Sequence, residues 1–188
     1  MDRSVNDSSV LVTFIADFVR VLEARGIKYA IVSGFVAIAH GRSRGTEDID
    51  VIVEKLSANG FESLFGALAS AGFECIQGGK PEELYADYLA ENSSLRFVRT
   101  GEFVPEMELK LSKDALDEKQ LAERTKLPLT GLPFYFSTIE TNIAFKEELL
   151  KSPKDIADSR HLRTVYEGDV DEGKVGRIKT LIRKYRIR

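Results

Sequence analysis

The spacing of apolar residues along the chain changes between the period of a helix and the period of a strand. Helical spacing predicts a first helix that is capped by Asp7 or Ser8 and ends at about Arg25, before Gly26. Its expected apolar face consists of Val10, Phe14, Ile15, Phe18, Val21 and Leu22.

Strands and helices then alternate up to about residue 136. The predicted strands are 29–32, 48–54, 73–76, 94–98 and 107–111. Helices are predicted near 35–40, at 59–71 and from Pro81 onward. One helix and one short strand are expected between 112 and 133, before the apolar run 134–136. This alternation predicts an α/β or α+β fold with a mixed sheet that is flanked by helices.

From Ser137 onward the pattern is helical. Ser137-Thr138-Ile139-Glu140 has the form of a capping box, and Ser152-Pro153 is a helix start. Asp169 or Asp171 is expected to begin the last helix. The chain is therefore predicted to have a core at 1–136 and a helical C-terminal part at 137–188 that packs on the core.

Composition narrows the class of protein. Of 188 residues, 43% are hydrophobic and 30% are charged, which suits a packed core and argues against disorder. A single cysteine, Cys75, excludes an intrachain disulfide and a cysteine-based zinc site. With no apolar stretch of about 20 residues, we expect no membrane partner and a cytoplasmic location. The net charge of −3 gives no overall nucleic-acid signature.

The candidate functional residues are concentrated in two places. A turn of small residues follows the first predicted strand, and a pair of carboxylates lies on the second. Ser33-Gly34 follows the first strand, and Asp48 and Asp50 lie on one face of the second. Two ionised aspartates this close repel each other, and a divalent cation bound between them usually neutralises the repulsion. The alternative is a solvated strand edge, although aspartate is disfavoured in strands. A metal site beside a phosphate-binding turn is typical of enzymes that transfer phosphoryl or nucleotidyl groups.

The stretch 32–51, VSGFVAIAHGRSRGTEDIDV, resembles the nucleotidyltransferase signature of the DNA polymerase beta superfamily. The run Arg44-Gly45-Thr46-Glu47-Asp48-Ile49-Asp50 is most similar to minimal members such as the AbiEii-type toxin nucleotidyltransferases. Ser33-Gly34 departs from the family, because it inverts the commoner Gly-Ser order.

The resemblance implies a polymerase-beta-like nucleotidyltransferase fold, an NTP substrate such as ATP, and Mg²⁺ or Mn²⁺ held by Asp48, Asp50 and a third carboxylate. Glu108 is the candidate for the third position and Glu106 is the alternative, since both share the polar face of the strand at 107–111 with Lys110. A strand with one charged face is also often merely half-exposed.

A second resemblance covers the segments 143–150 and 151–158, which are similar to a helix and a following acidic motif of the AbiEii-like enzymes. It implies that Lys146 reaches the triphosphate and that Asp155 and Asp158 orient this lysine or the wall of the active site. The plain alternatives are a surface lysine and, for Asp155, a residue that complements the helix dipole.

Further charged residues have two interpretations each. Arg42 and Arg44 lie in the loop before the aspartates, where they either bind phosphate or are solvated. His40 is expected to pack or cap a helix, and His161 has no partner at metal-ligand spacing. The C-terminal segment carries basic residues beside an apolar stripe, which either bind RNA such as tRNA or complement the helix dipole: Lys174, Arg177, Lys179, Arg183, Lys184, Arg186 and Arg188.

The function expected from these features is transfer of an NMP from an NTP to a hydroxyl acceptor. The AbiEii resemblance implies that a toxin role and an antitoxin protein partner accompany it. Two alternatives stay open: a non-catalytic nucleotide-binding regulatory module, and a nucleotidyltransferase that modifies a small molecule such as an antibiotic.

Overall fold

The computed structural model describes residues 3–46 and 48–187, with side chains described from residue 10 onward in these ranges. The α-helices are α1 (Arg3–Ala24), α2 (Gly34–Ala39), α3 (Ala58–Ser70), α4 (Pro81–Leu84), α5 (Ala115–Ala122), α6 (Ile139–Phe145), α7 (Pro153–Val165) and α8 (Glu172–Arg186). The strands are β1 (Tyr29–Val32), β2 (Asp48–Val53), β3 (Phe73–Cys75), β4 (Leu95–Arg99) and β5 (Glu106–Leu111). Two π-helical turns, Tyr85–Leu89 and Lys146–Leu150, continue α4 and α6, and Pro128–Thr130 is a 3₁₀ turn.

The strands form one five-stranded mixed sheet in the order β1-β2-β5-β4-β3. β2 and β5 run parallel, with Asp48 opposite Glu106 and Asp50 opposite Glu108. β4 pairs antiparallel with both β5 and β3. Such a mixed sheet flanked by helices confirms the predicted fold class.

The chain divides into two compact units, of which the first comprises residues 1–29 and 45–113. Its core is rich in phenylalanine. Phe18 packs edge-on against Phe73 and Phe97, with ring centroids 5.1 and 5.8 Å apart. Alternating apolar residues of β2 and β5 complete this core, since Ile49, Val51, Met107 and Leu109 have no exposed surface. The same alternation leaves the acidic residues of both strands on the opposite face.

The second unit comprises residues 30–44 and 114–188. Phe35 of α2 stacks on Phe136 at 6.4 Å, and Ile31 of β1 bridges to Phe136 through parallel backbone hydrogen bonds. The helices α6, α7 and α8 lie in this unit, where Ile143, Leu162, Ile178 and Ile182 are buried. The chain passes between the two units after residues 29, 44 and 113. The domain boundary predicted after residue 136 stays a prediction.

Several predicted element ends were wrong. α1 begins at Arg3, before Asp7 and Ser8, because residues 3–9 contain no glycine or proline to interrupt it. Val10, expected on the apolar face, is 54% exposed, whereas Phe14, Ile15, Phe18 and Leu22 are buried as predicted.

The connection before α6 also differs from the prediction. No strand forms in the described chain between 112 and 133, where Thr125 makes only an isolated bridge to Phe136. Thr138, one residue later than predicted, caps α6 and accepts from the Thr141 N–H at 3.3 Å. Ser137 instead precedes the helix, and its N–H donates to the Ile31 carbonyl at 3.1 Å. Ser152 and Asp171 cap α7 and α8 as predicted.

The described helices include none that is both long enough and apolar enough to cross a lipid bilayer.

Candidate functional site

An acidic face, defined by Asp48, Asp50, Glu106 and Glu108, lies on the polar side of β2 and β5. It forms because each strand alternates apolar and acidic residues and the parallel register places the acids side by side. Asp48 is exposed, whereas the Asp50 and Glu108 side chains are only 17% and 15% exposed. The structure therefore brings together both predicted aspartates and both candidates for the third carboxylate.

Two polar neighbours hold the outer end of this face. The Thr46 hydroxyl donates to Asp48 Oδ1 at 2.9 Å. Arg96 of β4 is 3.6 Å from Glu106 Oε2 and is half-exposed. Glu106 thus has a cationic partner of its own, whereas Glu108, opposite Asp50, lies deeper in the face.

Lys110 lies between the two deeper carboxylates. Its Nζ is 2.8 Å from Asp50 Oδ1 and 3.0 Å from Glu108 Oε1. Burial disfavours the charged forms of both Lys110 and Glu108, but their polar contacts have the larger effect. The two carboxylates raise the pKa of Lys110. Hydrogen bonds from Lys110 and Ser94 lower the pKa of Glu108. The ammonium thus supplies the positive charge that two neighbouring carboxylates require.

The donor set of the acidic face suits Mg²⁺ in type, since carboxylate and hydroxyl oxygens are the ligands that this hard cation prefers. In the arrangement seen, no three acidic, histidine or cysteine side chains among the described residues are grouped to hold a metal ion. One oxygen each of Asp50 and Glu108 is bonded to Lys110 instead. Asp48, Asp50 and Glu108 are the residues that would hold the ion.

The Ser33-Gly34 turn connects β1 to α2. Ser33 has φ 63° and ψ −127°, a region that favours glycine because a Cβ is crowded there. Its side chain makes no capping hydrogen bond to α2. The inverted order of the two residues thus places the one with a Cβ at the position where the backbone needs a glycine.

The second unit contains a buried ion cluster of Arg42, Arg44, Lys146, Asp155 and Asp158. Lys146 Nζ lies 2.7 Å from Asp158 Oδ2 and 3.5 Å from Asp155 Oδ1. The Lys146 side chain is 1% exposed and that of Asp158 is fully buried. Lys146 is therefore no surface lysine, and both aspartates contact its ammonium.

The two arginines of the cluster approach the same buried carboxylate. Arg42 forms an ion pair with Asp158, and Arg44 Nη2 is 3.3 Å from Asp158 Oδ2. Their side chains are 21% and 10% exposed, and Nε and Nη1 of Arg44 are buried. With three basic and two acidic residues, the cluster carries an excess of positive charge when all are ionised. Arg42 is the more exposed of the two arginines.

Burial lowers the pKa of Lys146 from 10.5 to about 8. Asp155 opposes this change, while the positive charges of Arg44 and Arg42 add to it. Contact of Lys146 with a triphosphate stays a prediction, and it requires the side chain to leave this buried position.

The basic residues of α8 are largely neutralised within the second unit. Lys179 lies 2.6 Å from Glu147 and Arg183 lies 3.0 Å from Glu148. The other ion pairs of the helix join Lys174 to Glu123 and Glu140, Arg177 to Asp171, and Arg186 to Asp114 and Asp117. Arg188 lies outside the described residues. These pairs, which the sequence pattern could not show, leave less positive charge for an RNA backbone than the composition of the helix indicates.

His40 has the packing and capping role that was predicted for it. It ends α2, and its Nδ1 lies 2.7 Å from the Val36 carbonyl while its Nε2 lies 2.8 Å from the Tyr166 hydroxyl. Because a carbonyl only accepts, Nδ1 donates and Nε2 accepts from the tyrosine in the neutral ring. Burial accordingly lowers the pKa of His40. His161 Nε2 binds the His40 carbonyl at 2.9 Å.

Sequence reasoning assigned no role to Lys110 or Tyr166. The signal for Lys110 was present, because it follows Glu108 by two residues and so shares its face of β5. Tyr166 carried no such signal, since its hydroxyl meets His40 across a large separation in sequence.

No protein-family model matches the chain, and no curated protein matches it with significance. Similar solved structures do exist. A solution structure of the antibiotic-resistance factor ANT(2'')-Ia has a TM-score of 0.56 at 16% identity, covering 94% of this chain and 92% of that one. A crystal structure of ANT(2'')-Ia in complex with adenylyl-2''-tobramycin has a TM-score of 0.56 at 18% identity, covering 93% and 98%.

An antigenic nucleotidyltransferase-like protein from Paracoccidioides brasiliensis is also similar, with a TM-score of 0.49 at 16% identity and coverage of 93% and 88%. At such identities, the likeness to ANT(2'')-Ia shows a shared fold and no more. The predicted nucleotidyltransferase fold is confirmed, and this chain has that fold over nearly its whole length.

Proposed function

We propose that the protein is a Mg²⁺-dependent nucleotidyltransferase. The observation that carries the proposal is the acidic face, where Asp48 and Asp50 of β2 lie directly opposite Glu106 and Glu108 of β5 in a chain with this fold. A divalent ion held by Asp48, Asp50 and Glu108 would neutralise the negative charge that develops on the phosphate oxygens. Mn²⁺ suits the same oxygen donors.

The proposed reaction moves an NMP from an NTP to a hydroxyl group. The acceptor oxygen forms a bond to the α-phosphorus, and the bond from that phosphorus to the bridging oxygen of the β-phosphate breaks. Pyrophosphate leaves with the electron pair, and a carboxylate of the acidic face, Glu108 in our assignment, receives or directs the hydroxyl proton. Asp50 and Glu108 are only slightly exposed, which favours their charges acting strongly on the reacting groups.

Triphosphate binding is proposed for residues of the second unit. Arg42 and Arg44 have partly exposed side chains, and a guanidinium group can bind two phosphate oxygens at once. The Ser33-Gly34 turn offers backbone N–H groups for the same purpose. Asp155 and Asp158 hold Lys146 in place, and the role of Lys146 toward the triphosphate rests on the AbiEii resemblance.

Two acceptor classes are proposed. A small molecule with hydroxyl groups is favoured by the shared fold with ANT(2'')-Ia, one of whose structures contains adenylyl-2''-tobramycin. An RNA acceptor such as tRNA rests on the basic C-terminal helix, whose charges are mostly paired with acids. A toxin role with an antitoxin partner rests on the AbiEii resemblance alone, and growth arrest on expression, lost in Asp50→Asn, would test it.

The test is transfer of label from each α-³²P-NTP, with Mg²⁺, to total tRNA, to protein and to a panel of aminoglycosides. We expect labelled product with the wild type and a loss of at least about a hundredfold in Asp50→Asn. Asp87→Asn, which neutralises an exposed aspartate outside the acidic face, serves as the matched control and should keep the activity.

The third carboxylate is identified by the same assay. Glu108→Gln should lose activity about as severely as Asp50→Asn, and Glu106→Gln should lose much less, since Glu106 lies opposite the exposed Asp48 and beside Arg96. If no NTP gives product with any acceptor while Mg-NTP still binds in an Asp50-dependent manner, the protein is a nucleotide-binding regulatory module instead.

A further inference from the structure

Lys110 contacts the acidic face and has no role in the proposed reaction. It follows Glu108 by two residues on β5, so that both side chains project from the same side of the sheet. Its side chain is 41% exposed, but its ammonium tip makes two close contacts with less exposed carboxylates. The side chain is thus partly reachable from solvent, while its charge contacts the carboxylates.

The contacts of Lys110 involve the oxygens that a divalent ion would need. Nζ is 2.8 Å from Asp50 Oδ1 and 3.0 Å from Glu108 Oε1. An ammonium and a divalent ion repel each other strongly at such separations, and a carboxylate oxygen that accepts from one has less to offer the other.

We propose that Lys110 is an internal counter-cation that holds Asp50 and Glu108 together in the substrate-free protein and has to move off both when a divalent ion binds. The inference rests on the proposed function, because it takes the same carboxylates as metal ligands. Lys110 is a positioning residue in this scheme, since it acts through the carboxylates and touches no substrate. Its presence keeps the affinity of the site for the free ion low.

The test is Mn²⁺ binding without nucleotide, followed by the electron paramagnetic resonance signal of free Mn²⁺. Lys110→Gln should bind Mn²⁺ about ten- to a hundredfold more tightly than the wild type, because the ion no longer displaces a charged hydrogen-bond partner. Lys110→Arg, which keeps the cation, should remain near the wild-type affinity. Lys110→Gln with Asp50→Asn should lose the gain, which locates the bound ion at this face.

Arg96→Gln is the matched control for general electrostatics. It removes one positive charge from a side chain that lies opposite Glu108 in the strand register, forms its ion pair with Glu106 at 3.6 Å, and is 52% exposed. We expect it to change the Mn²⁺ affinity by no more than about threefold, as is usual for exposed ion pairs. An equal gain in Arg96→Gln and Lys110→Gln would overturn the proposal.

A second measurement is the melting temperature of each variant with and without Mn²⁺. Without metal, Lys110→Gln should have a lower melting temperature than the wild type, because Asp50 and Glu108 then repel each other, and Mn²⁺ should raise it more than it raises that of the wild type. If this variant does not fold, Lys110→Met, which keeps an unbranched apolar stem, replaces it in both measurements.

The remaining outcomes separate this inference from the proposed function. Equal Mn²⁺ affinity in the wild type and Lys110→Gln overturns the role of Lys110 and leaves the metal site and the transferase proposal intact. Absence of Mn²⁺ binding in every variant overturns the inference, and the transfer assay with and without Mg²⁺ then tests the metal dependence separately. Tighter binding in Lys110→Gln supports the inference even where no acceptor is labelled in the transfer assay.

Discussion

The ammonium of Lys146 lies 2.7 Å from a carboxylate oxygen of Asp158, and the two side chains are 1% and 0% exposed. A lysine is almost never this buried unless it is paired. Arg42 and Arg44 approach the same aspartate, so that Asp158 is the shared partner of three cations. Stability and charge in the second unit therefore depend strongly on one carboxylate.

Neutralising Asp158 should be among the most damaging substitutions in the chain. We expect Asp158→Asn to lower the free energy of unfolding by about 3 to 5 kcal/mol, because it leaves buried cations without their main partner. Lys146→Met should cost less, since Asp158 keeps both arginines. The double variant should show a coupling of about 1 to 3 kcal/mol in a urea-unfolding cycle.

The control for this cycle is Arg20→Met, which breaks a pair with Asp17 at 2.9 Å whose arginine is 74% exposed. Its cost should stay under about 1 kcal/mol. A cost of Asp158→Asn as small as that of the control would show that the ion cluster does not stabilise the fold.

Stability should rise with pH on the alkaline side of neutrality. The pKa of Lys146 is about 8 in the folded protein and 10.5 when unperturbed, so the unfolded chain binds more protons between these values. The free energy of unfolding of the wild type should therefore increase relative to Lys146→Met across this window, by about 3 kcal/mol in full. Below about pH 7 the difference between the two proteins should be constant.

Urea unfolding of both proteins from about pH 7 to about pH 10 measures this effect, and the difference cancels the titration of groups that they share. A difference that is flat or falls over the window would mean that Lys146 keeps its charge more readily than its burial indicates.

Ser33→Gly should stabilise the protein. Ser33 has φ 63° and ψ −127°, and its side chain makes no capping bond, so glycine removes a crowded Cβ and loses little. We expect a gain of about 1 kcal/mol, since the relief of 1 to 3 kcal/mol of backbone strain exceeds the greater freedom that glycine gives the unfolded chain. Thermal unfolding beside Ser33→Ala checks this, because alanine removes only the hydroxyl and should change stability little.

Glu147 should make the protein sensitive to acid. Burial raises its pKa, but hydrogen bonds from Arg163, Lys179 and Ser159 prevail and lower it to about 2. Because the folded pKa is below the unperturbed 4.5, this contribution to stability is complete above about pH 5 and is lost as the pH falls toward 2. Glu147→Gln should therefore be less stable than the wild type at neutral pH, with a difference that shrinks over this range.

The matched control for Glu147 is Glu167→Gln, which neutralises an exposed acid of the same unit. Its difference from the wild type should be small and should vary little between pH 5 and pH 2. If Glu147→Gln follows the control, the pairs of Glu147 with Arg163 and Lys179 are only surface contacts.

The polar side of each strand was predictable from the sequence because it depends on strand alternation, whereas the meeting of the two strands was expected only from the family resemblance. Met107, Leu109 and Leu111 on one side of β5 place Glu106 and Glu108 on the other, and the Asp-Ile-Asp run does the same for β2. The bond from Lys110 to Asp50 was not predicted, since it depends on which strands are neighbours and in what register.

The charge balance of the C-terminal helix shows where a local pattern fails. Lys179 and Arg183 have no acidic neighbour within a turn of the helix, so their sequence context indicates a free basic surface. Their partners are Glu147 and Glu148, which lie in a different helical segment. Burial of Lys146 has the same origin, because its partner Asp158 belongs to α7.

The π-helical turn at Lys146–Leu150 makes the spacing of residues here unusually strict. The Lys151 N–H donates to the Lys146 carbonyl at 3.0 Å, which accommodates one residue more than a regular α-helical turn. Deleting one residue of this turn would rotate the segments before and after it by about 100° relative to each other, and Lys146 would then point away from Asp158. An alignment of this chain with a relative whose helix is regular at this point therefore needs a one-residue gap here, although both chains would carry the same lysine.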